Sequence, residues 1–587
     1  MRARALSLGF AFQFAILDLA LRGPRSSVAT PSLALGALAS MALWWYLGAT
    51  ERRGVRIALA FVTALIVVTQ LGFYRFYHVF YGVEAAGAAR FMWGDTKPML
   101  LRIAPWLALG TVVLACAEWA LLRFGEQRAV RPWRALAALV VLGLSFMIST
   151  AGAPDVSAVA ALVRFALPQT TENVAAVVVP EVRSTRRPAA VLLLLDESIR
   201  ASDYCSAPGP CALAPRTAAV TPDRITLREM RAVASYTALS VGALFTGHLP
   251  IEGRKVIAES PMIFDLARAI RMNDGSRPTV HYVSAQTDSF FERKGLRAEL
   301  ETFVTVDDLV GHPVDDIDDV IDLGTDRLLA DRAALELAKL RPPFLFVAHF
   351  GGTHAPYFVD DASAPYRPYS HATGWGELDQ LHAAYKDAIY TQDESVARVI
   401  EAFYRAAGDA PTLVLFTSDH GESFGEHAAI HHGQDLYDEQ IHVPGFAVLH
   451  HDEREALLRA HEGDFVTHLD VLPTIVDMFG AHLSFPFQAI EAPLKGRSLL
   501  RAFPDGAALQ TLAVTNCTDV FPCPVKTYGI LRGAHALTAQ PWDYGWRCVD
   551  LHDDATLLDP RSEECVLLGK ASHDPFPTLP YGAANPL

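Results

Sequence analysis

The first 152 residues contain five apolar stretches, about Leu6–Leu21, Leu33–Ala49, Ile57–Gly72, Ile103–Leu122 and Ala135–Ser149. Each is close to the roughly 20 residues needed to cross a bilayer. Backbone in hydrocarbon must satisfy its own hydrogen bonds, so helices are the expected form. The first stretch is short and carries Asp18, and no small-residue cleavage site follows it; it is expected to remain as an anchor rather than leave as a signal peptide. Mean hydropathy of +0.20 over the chain comes from this concentration of apolar residues at one end.

Arginines orient the spans. Arg2 and Arg4 precede the first; Arg52, Arg53 and Arg56 lie between the second and third; Arg123, Arg128, Arg131 and Arg134 lie between the fourth and fifth. The other loops, with Arg22, Arg25, Arg90 and Lys97, are less densely basic. Cytoplasmic loops carry the excess of basic residues, which puts the N-terminus in the cytoplasm and everything beyond residue 152 outside it. The seven cysteines agree. Cys116 falls in the fourth span, and the rest form close pairs, Cys205/Cys211, Cys517/Cys523 and Cys548/Cys565, as expected of disulfides in an oxidising compartment. The segment "FYRFYHVFYG", Phe73–Gly82, reads as an aromatic belt at the membrane interface.

At 587 residues the chain should hold more than one unit. Residues 153–188 include Pro154, Pro168 and Pro180 and end in "RSTRRP", and they read as a linker along the membrane surface. From Ala189 to residue 587, apolar strands alternate with helical patterns, the mark of an α/β sheet with helices on both faces. "AAVLLLLDES" delivers Asp196, Glu197 and Ser198 at a strand end, "FLFVAHFGGTH" delivers His349 and His354, and "TLVLFTSDHG" delivers Asp419 and His420. Carboxyl ends of strands in such sheets are where ligands bind. Asp and His side by side are metal ligands by type. No internal repeat or low-complexity segment is present.

"LLLLDESIRA", "HFGGTHAPY", "TSDHGESFGEH" with the following "HHG", and "LYDEQIHVP" resemble the alkaline phosphatase superfamily, in its sulfatase and phosphoethanolamine transferase branches. "HLDVLPTIVDMFG", "KGRSLL" and "WRCVDLHDDATLLDPRSEE" resemble the sulfatase-type end of that domain. The resemblance covers residues 189 to about 570, and its SDHGE segment is the most specific part. The five apolar stretches make residues 1–152 a membrane domain of five transmembrane helices, followed by the linker (153–188), and the resemblance implies that residues 189–587 are an extracytoplasmic α/β catalytic domain of alkaline phosphatase/sulfatase type.

Within "ASYTALSVGALFTGHLP", Thr237 stands where sulfatases place the Cys or Ser that becomes formylglycine, while Leu239 and Val241 replace the Pro and Arg of that signature. The same stretch is similar to the transferases' motif, in which Thr is the nucleophile. Taken alone, Thr237 would equally read as a helix cap. The resemblance implies that Glu197, Asp419 and His420 hold a divalent metal with Thr237, zinc first and manganese or calcium as alternatives. It further implies that Thr237 attacks phosphorus, while His354 and His432 steady the phosphoryl oxygens or protonate the leaving group. His427 and His431 compete with His432, which is preferred because Gly433 follows it.

The implied partners are a membrane lipid donor and an envelope lipid or glycan acceptor at the outer face of the bacterial inner membrane; no nucleic acid is expected. "ARFMWGDTKPMLL" lacks the Asn and Glu with which transferases meet an ethanolamine donor, which leaves glycerol-phosphate transfer open. Two other classes stay open: a membrane-anchored sulfatase-like hydrolase that uses water as acceptor, and an inactive sensor or assembly protein.

Overall fold

The computed structural model describes residues 2–22, 30–77, 80–91, 93–127, 154–166, 179–481 apart from short gaps, 495–503, 511–515, 527–539 and 546–572 apart from 554, with a few positions between 133 and 140. Four helices, α1 (Arg2–Arg22), α2 (Thr30–Gly48), α3 (Arg53–Tyr77) and α5 (Trp93–Phe124), form a bundle with the short α4 (Val83–Phe91). Its outward face is apolar, with Phe61, Leu109, Val112 and Val113 exposed, as a lipid-facing surface requires. Inside, close approach and polar pairs join the helices: a Cβ at Gly48 would lie 2.9 Å from Phe10 and Leu122, and Thr63 donates to Glu118.

Among the described residues, three helices, over Ala3–Leu21, Arg53–Arg75 and Ile103–Phe124, are long and apolar enough to cross a membrane. The described apolar part of α2, Ala37–Gly48, is shorter than that. The fifth expected span, Ala135–Ser149, lies outside the described residues apart from scattered positions.

The stretch expected as a linker contains a helix, α6 (Pro154–Ala166). A proline taken alone signals a loop, but the first turn of a helix tolerates it because its missing N–H has no helical partner there. Asp155, in the same turn, accepts hydrogen bonds from Ser40 Oγ and Trp44 Nε1, both at 2.7 Å, which tie α6 to α2.

The larger sheet, beyond residue 189, has seven strands: β1 (Ala190–Asp196), β2 (Ile225–Thr226), β3 (Thr279–Ser284), β4 (Thr302–Val304), β5 (Phe344–His349), β6 (Thr412–Ser418) and β7 (Gly445–His450). Their order across the sheet is β2-β7-β6-β1-β5-β3-β4, with β7 antiparallel to both neighbours and the pairs from β6 to β4 parallel. Alternation along β1 explains its unbroken apolar run. Val191, Leu193 and Leu195 enter the core on one face, and Ala190, Leu192 and Leu194 enter the core on the other.

Helices α7 (Thr237–Thr246), α8 (Thr325–Leu337), α9 (Leu378–Ala407) and α10 (Val471–Met478) accompany the sheet. A smaller antiparallel sheet follows, from β8 (Thr511–Thr515) through β9 (Tyr528–Arg532), β10 (His535–Ala539) and β11 (Trp546–Asp550) to β12 (Thr556–Leu557), and α11 (Glu563–Ser572) packs on it. Cys205–Cys211 and Cys548–Cys565 are disulfides and Cys116 is free, while Cys517 and Cys523 lie outside the described residues.

Candidate active site

The parallel register brings three strand ends to one edge. Asp196 pairs with Ser418 across β1 and β6, and Leu195 pairs with His349 of β5. Beyond Asp196 the chain turns through Ser198 at φ 57°, a left-handed conformation that costs a non-glycine residue energy and is common where a functional group must be aimed. The turn is held by Ser198 N–H donating to Asp419 Oδ1 at 2.9 Å and by Thr353 Oγ donating to the Glu197 carbonyl at 2.5 Å. Glu197, Asp419 and His420 are all fully buried.

Thr237 is the first residue of α7, but its hydroxyl does not cap that helix; Tyr236 occupies the cap position and makes no side-chain cap bond. Thr237 Oγ1 lies 3.1 Å from His420 Nε2 and 3.4 Å from Glu197 Oε1. His420 Nδ1 is 3.0 Å from the Gly421 carbonyl. Donation to that carbonyl fixes the tautomer and leaves the Nε2 lone pair facing Thr237, the arrangement of a metal-ligating histidine with its outer nitrogen anchored. Burial, partly offset by Asp419, holds the His420 imidazole down at about 4, so it is neutral and able to ligate.

One ligand atom each from Glu197, Asp419 and His420 fall within 4.8 Å of one another, and the same holds for Glu197, His354 and His432. The donor set fits a divalent cation. Burial, reinforced by Asp419, pushes the Glu197 carboxyl well above its usual range. Burial works the same way on Asp419, but His420, His349 and the Ser198 N–H hold it below the ordinary value. Asp419 Oδ2 is buried without a hydrogen-bond partner, 3.2 Å from His420 Nε2. Two carboxylates, an imidazole and a hydroxyl packed together call for positive charge, and this mixed oxygen and nitrogen set suits zinc.

Of the competing histidines, His432 is the one beside the cluster, its ring centroid 4.1 Å from that of His420 and 5.9 Å from that of His354. His431 Nδ1 turns to Glu422 Oε1 at 2.8 Å, and His427 Nδ1 turns to Glu439 Oε1 at 2.6 Å. Sequence reasoning assigned no role to several groups that shape the site. Glu422 accepts from both His431 and His432 Nδ1, the latter at 3.1 Å. Gln286 Nε2 donates to Glu197 Oε2 at 2.9 Å, while Oε1 accepts from Ser198 Oγ at 2.9 Å and faces Thr237 and His420, each at 3.4 Å. Ser240, one turn after Thr237, donates to the Asp419 carbonyl and contacts His468 Nδ1 at 2.9 Å. Glu422 stands inside the SDHGE segment and His468 opens the "HLDVLPTIVDMFG" stretch, so both were open to discovery there; Gln286 sits in unremarkable sequence.

The profile of the family described as Sulfatase matches residues 189–481. The chain is 37% identical over 99 residues to the mouse (Mus musculus) steryl-sulfatase, covering 17% of this chain and 14% of that protein. It is 27% identical over 143 residues to the phosphatidylethanolamine transferase Mcr-1 of Escherichia coli, covering 23% and 26%. These matches therefore span about a quarter or less of either relative's length. Among solved structures, the integral membrane lipooligosaccharide phosphoethanolamine transferase A of Neisseria meningitidis superposes with a TM-score of 0.53 at 15% identity, covering 81% of this chain and 95% of that one, a likeness of fold that takes in helical and α/β parts together. Residues 189–481 are thus a domain of the Sulfatase family, within the alkaline phosphatase superfamily.

Proposed function

We propose that the chain is a phosphoryl-group transferase of the extracytoplasmic membrane face, moving phosphoethanolamine or a similar lipid head group to an envelope acceptor through Thr237. The observation that carries this reading is the Thr237 hydroxyl, aimed at His420 and Glu197 from the first turn of α7 instead of capping it. Glu197, Thr237, Asp419 and His420 would hold a divalent metal, by donor type zinc, that supplies the positive charge to lower the hydroxyl pKa and polarise the phosphoryl group. Thr237 Oγ1 forms a bond to phosphorus as the bond to the lipid alcohol breaks. The hydroxyl proton passes to water, and a proton reaches the leaving oxygen from His354 or His432, both partly exposed and able to recover it from water. An acceptor hydroxyl or phosphate then takes the group from phosphothreonine. Gln286 and Glu422 keep the Glu197 and His432 side chains in place meanwhile.

The topology belongs to the same reading, with residues 1–152 as membrane domain and 189–587 outside the cytoplasm. Leu122 near the end of α5 meets Arg56, whereas Pro154 meets Gln70, and Arg56 to Gln70 is 14 residues along α3. That is about 20 Å at 1.5 Å per residue, a displacement that supports a fifth crossing between α5 and α6. Hydrolysis with water as acceptor is the second reading, favoured by the steryl-sulfatase match. Incubating the purified chain with labelled membrane lipids, then digesting it and analysing peptides, tests the proposal. Label on the Thr237 peptide that passes to an added acceptor supports transfer, label released only to water supports hydrolysis, and no label on that peptide refutes the nucleophile.

A further inference from the structure

A third apolar cluster lies apart from the two that flank the sheet, and it joins the first turns of α9, through Leu381, Ala384, Tyr385, Ala388 and Ile389, to the site's own loops. Ile199 follows Glu197 by two residues, Tyr357 follows His354 by three, Phe424 follows Glu422 by two, and Ile430 precedes His432 by two; all four are buried in it. The three loops that follow β1, β5 and β6 therefore share a common footing, with one side chain from each of the first two and two from the third. Tyr357 also reaches Glu422 Oε1 with its hydroxyl at 3.2 Å. The far wall of this footing is the segment leading into α9, where Trp375 and Leu378 pack against it.

That segment presses on the site loop directly. Gly425 sits at φ +113°, and a Cβ there would lie 2.6 Å from Leu378 Cδ1 and 3.9 Å from Trp375 Cζ3. Across the Trp375 ring stands Arg75, in the last turn of α3, with its guanidinium carbon 4.7 Å from the ring centroid. This is cation–π distance. The neighbouring Tyr74 hydroxyl donates to the Leu21 carbonyl at the end of α1 at 2.7 Å, so Arg75 projects from a turn that is fixed within the bundle.

We propose that Trp375, clamped by Arg75, is a positioning residue through which the membrane helices hold the 421–432 loop in its working conformation. The path is short: bundle, Arg75, indole, Leu378 and Gly425, then the loop bearing Glu422, His431 and His432. Loss of the clamp frees the outer wall of the footing, and the loop opens more often while the sheet beneath it is unaffected. Arg75 belongs to the segment expected only as an aromatic belt, and its guanidinium is instead spent on the catalytic domain. The kinetic arm of the following test rests on the transfer reading above; the exchange arm does not.

Hydrogen–deuterium exchange of the full chain in detergent micelles, read by mass spectrometry, compares wild type with Arg75→Ala, Arg75→Lys, Trp375→Ala and Trp375→Phe. In the two alanine variants, exchange over 421–432 should rise by about 2- to 30-fold, the range spanned by cation–π contacts of about 0.5 to 2 kcal/mol, while the 190–196 strand stays protected. The lysine and phenylalanine variants keep a cation and a ring and should recover part of the protection. The double alanine variant should open the loop no further than Trp375→Ala alone, because removing the indole already removes the contact that Arg75→Ala cuts. On a water-soluble aryl phosphodiester, kcat per folded enzyme, with the folded fraction taken from the protection of the 190–196 strand, should fall with KM held. Unchanged exchange at 421–432 in Arg75→Ala, or fully additive effects in the double variant, overturns the proposal. Raised exchange in a chain whose wild type shows no turnover upholds the clamp and sinks the transfer reading alone.

Discussion

Replacing Asp203 by Asn should lower stability at neutral pH by about 2 kcal/mol and leave almost no difference near pH 2. Asp203 lies in the short turn after β1, buried, with Arg200 Nε at 2.5 Å, His382 Nε2 at 2.6 Å and Lys386 Nζ at 3.7 Å. Burial by itself would raise its pKa, but the His382 hydrogen bond and the Arg200 charge outweigh it and hold the carboxyl at about 2, against an ordinary 3.8. A folded-state value below the unfolded one stabilises the fold above the unfolded pKa, and the contribution is lost as pH falls toward the folded pKa. The shift of nearly two units corresponds to about 2 kcal/mol at 1.36 kcal/mol per unit, and the carboxylate is buried enough that solvent screening removes little of it. Arg200 keeps Glu426 at 2.7 Å in the variant, which spares it from standing as a lone buried charge. Urea unfolding of both proteins in detergent, followed by tryptophan fluorescence at intervals from pH 7 to pH 2, measures the gap. A gap under about 0.5 kcal/mol at pH 7, or one that stays constant down to pH 2, would falsify the assignment of this triad as a net stabiliser.

Thr237→Ala should fold and still bind metal through Glu197, Asp419 and His420 but lose turnover by at least about 100-fold, while Thr237→Ser keeps measurable activity; single-turnover assays with metal titration separate the two effects. Asp419→Ala should abolish metal binding and turnover together, and a chelator should do the same to the wild type with recovery on adding zinc or manganese; activity in metal-free Asp419→Ala protein refutes the site. Cys548→Ser should cost about 3 kcal/mol, since the bridge to Cys565 closes a loop over a separation of 17 residues, and thermal unfolding in the presence and absence of reductant checks it. A reporter fused after residue 152 should be active only outside the cytoplasm; cytoplasmic activity means a miscounted span.

Glu197, Asp419 and His420 could be read from the sequence because each directly follows a run of apolar residues that only a doubly buried strand explains, and parallel strands present such positions on one edge. Thr237 was legible through its motif, but its hydroxyl direction was not; a first-turn threonine can cap or not, and tertiary packing decides. Gln286 escaped because β3 ends in "VSAQT", with no cluster of ligand types to draw attention, although its amide fixes the Glu197 rotamer. His468 escaped for a different reason: it reaches Ser418 O and Ser240 from some fifty residues downstream, a contact created only by the fold. The α6 helix was hidden by its own first residue, Pro154.

The pairing of Asp196 with Ser418 across β1 and β6 turns the site into a gauge of strand alignment. A slip of one residue between these strands would exchange the two faces of β6, sending Leu413 and Leu415 to the core now filled by Val414 and Phe416. Both faces are apolar, so hydrophobicity alone discriminates weakly between the two alignments. Asp419 and His420 discriminate strongly, because only the native alignment sets them beside Glu197. Any cation that binds this edge therefore selects the correctly paired sheet by mass action, adding about 1.4 kcal/mol for each tenfold excess of free ion over its dissociation constant. Misaligned sheets, having no such site, receive nothing from the ion, so the supply of a cation that binds there while the chain folds should shift the population toward the native arrangement.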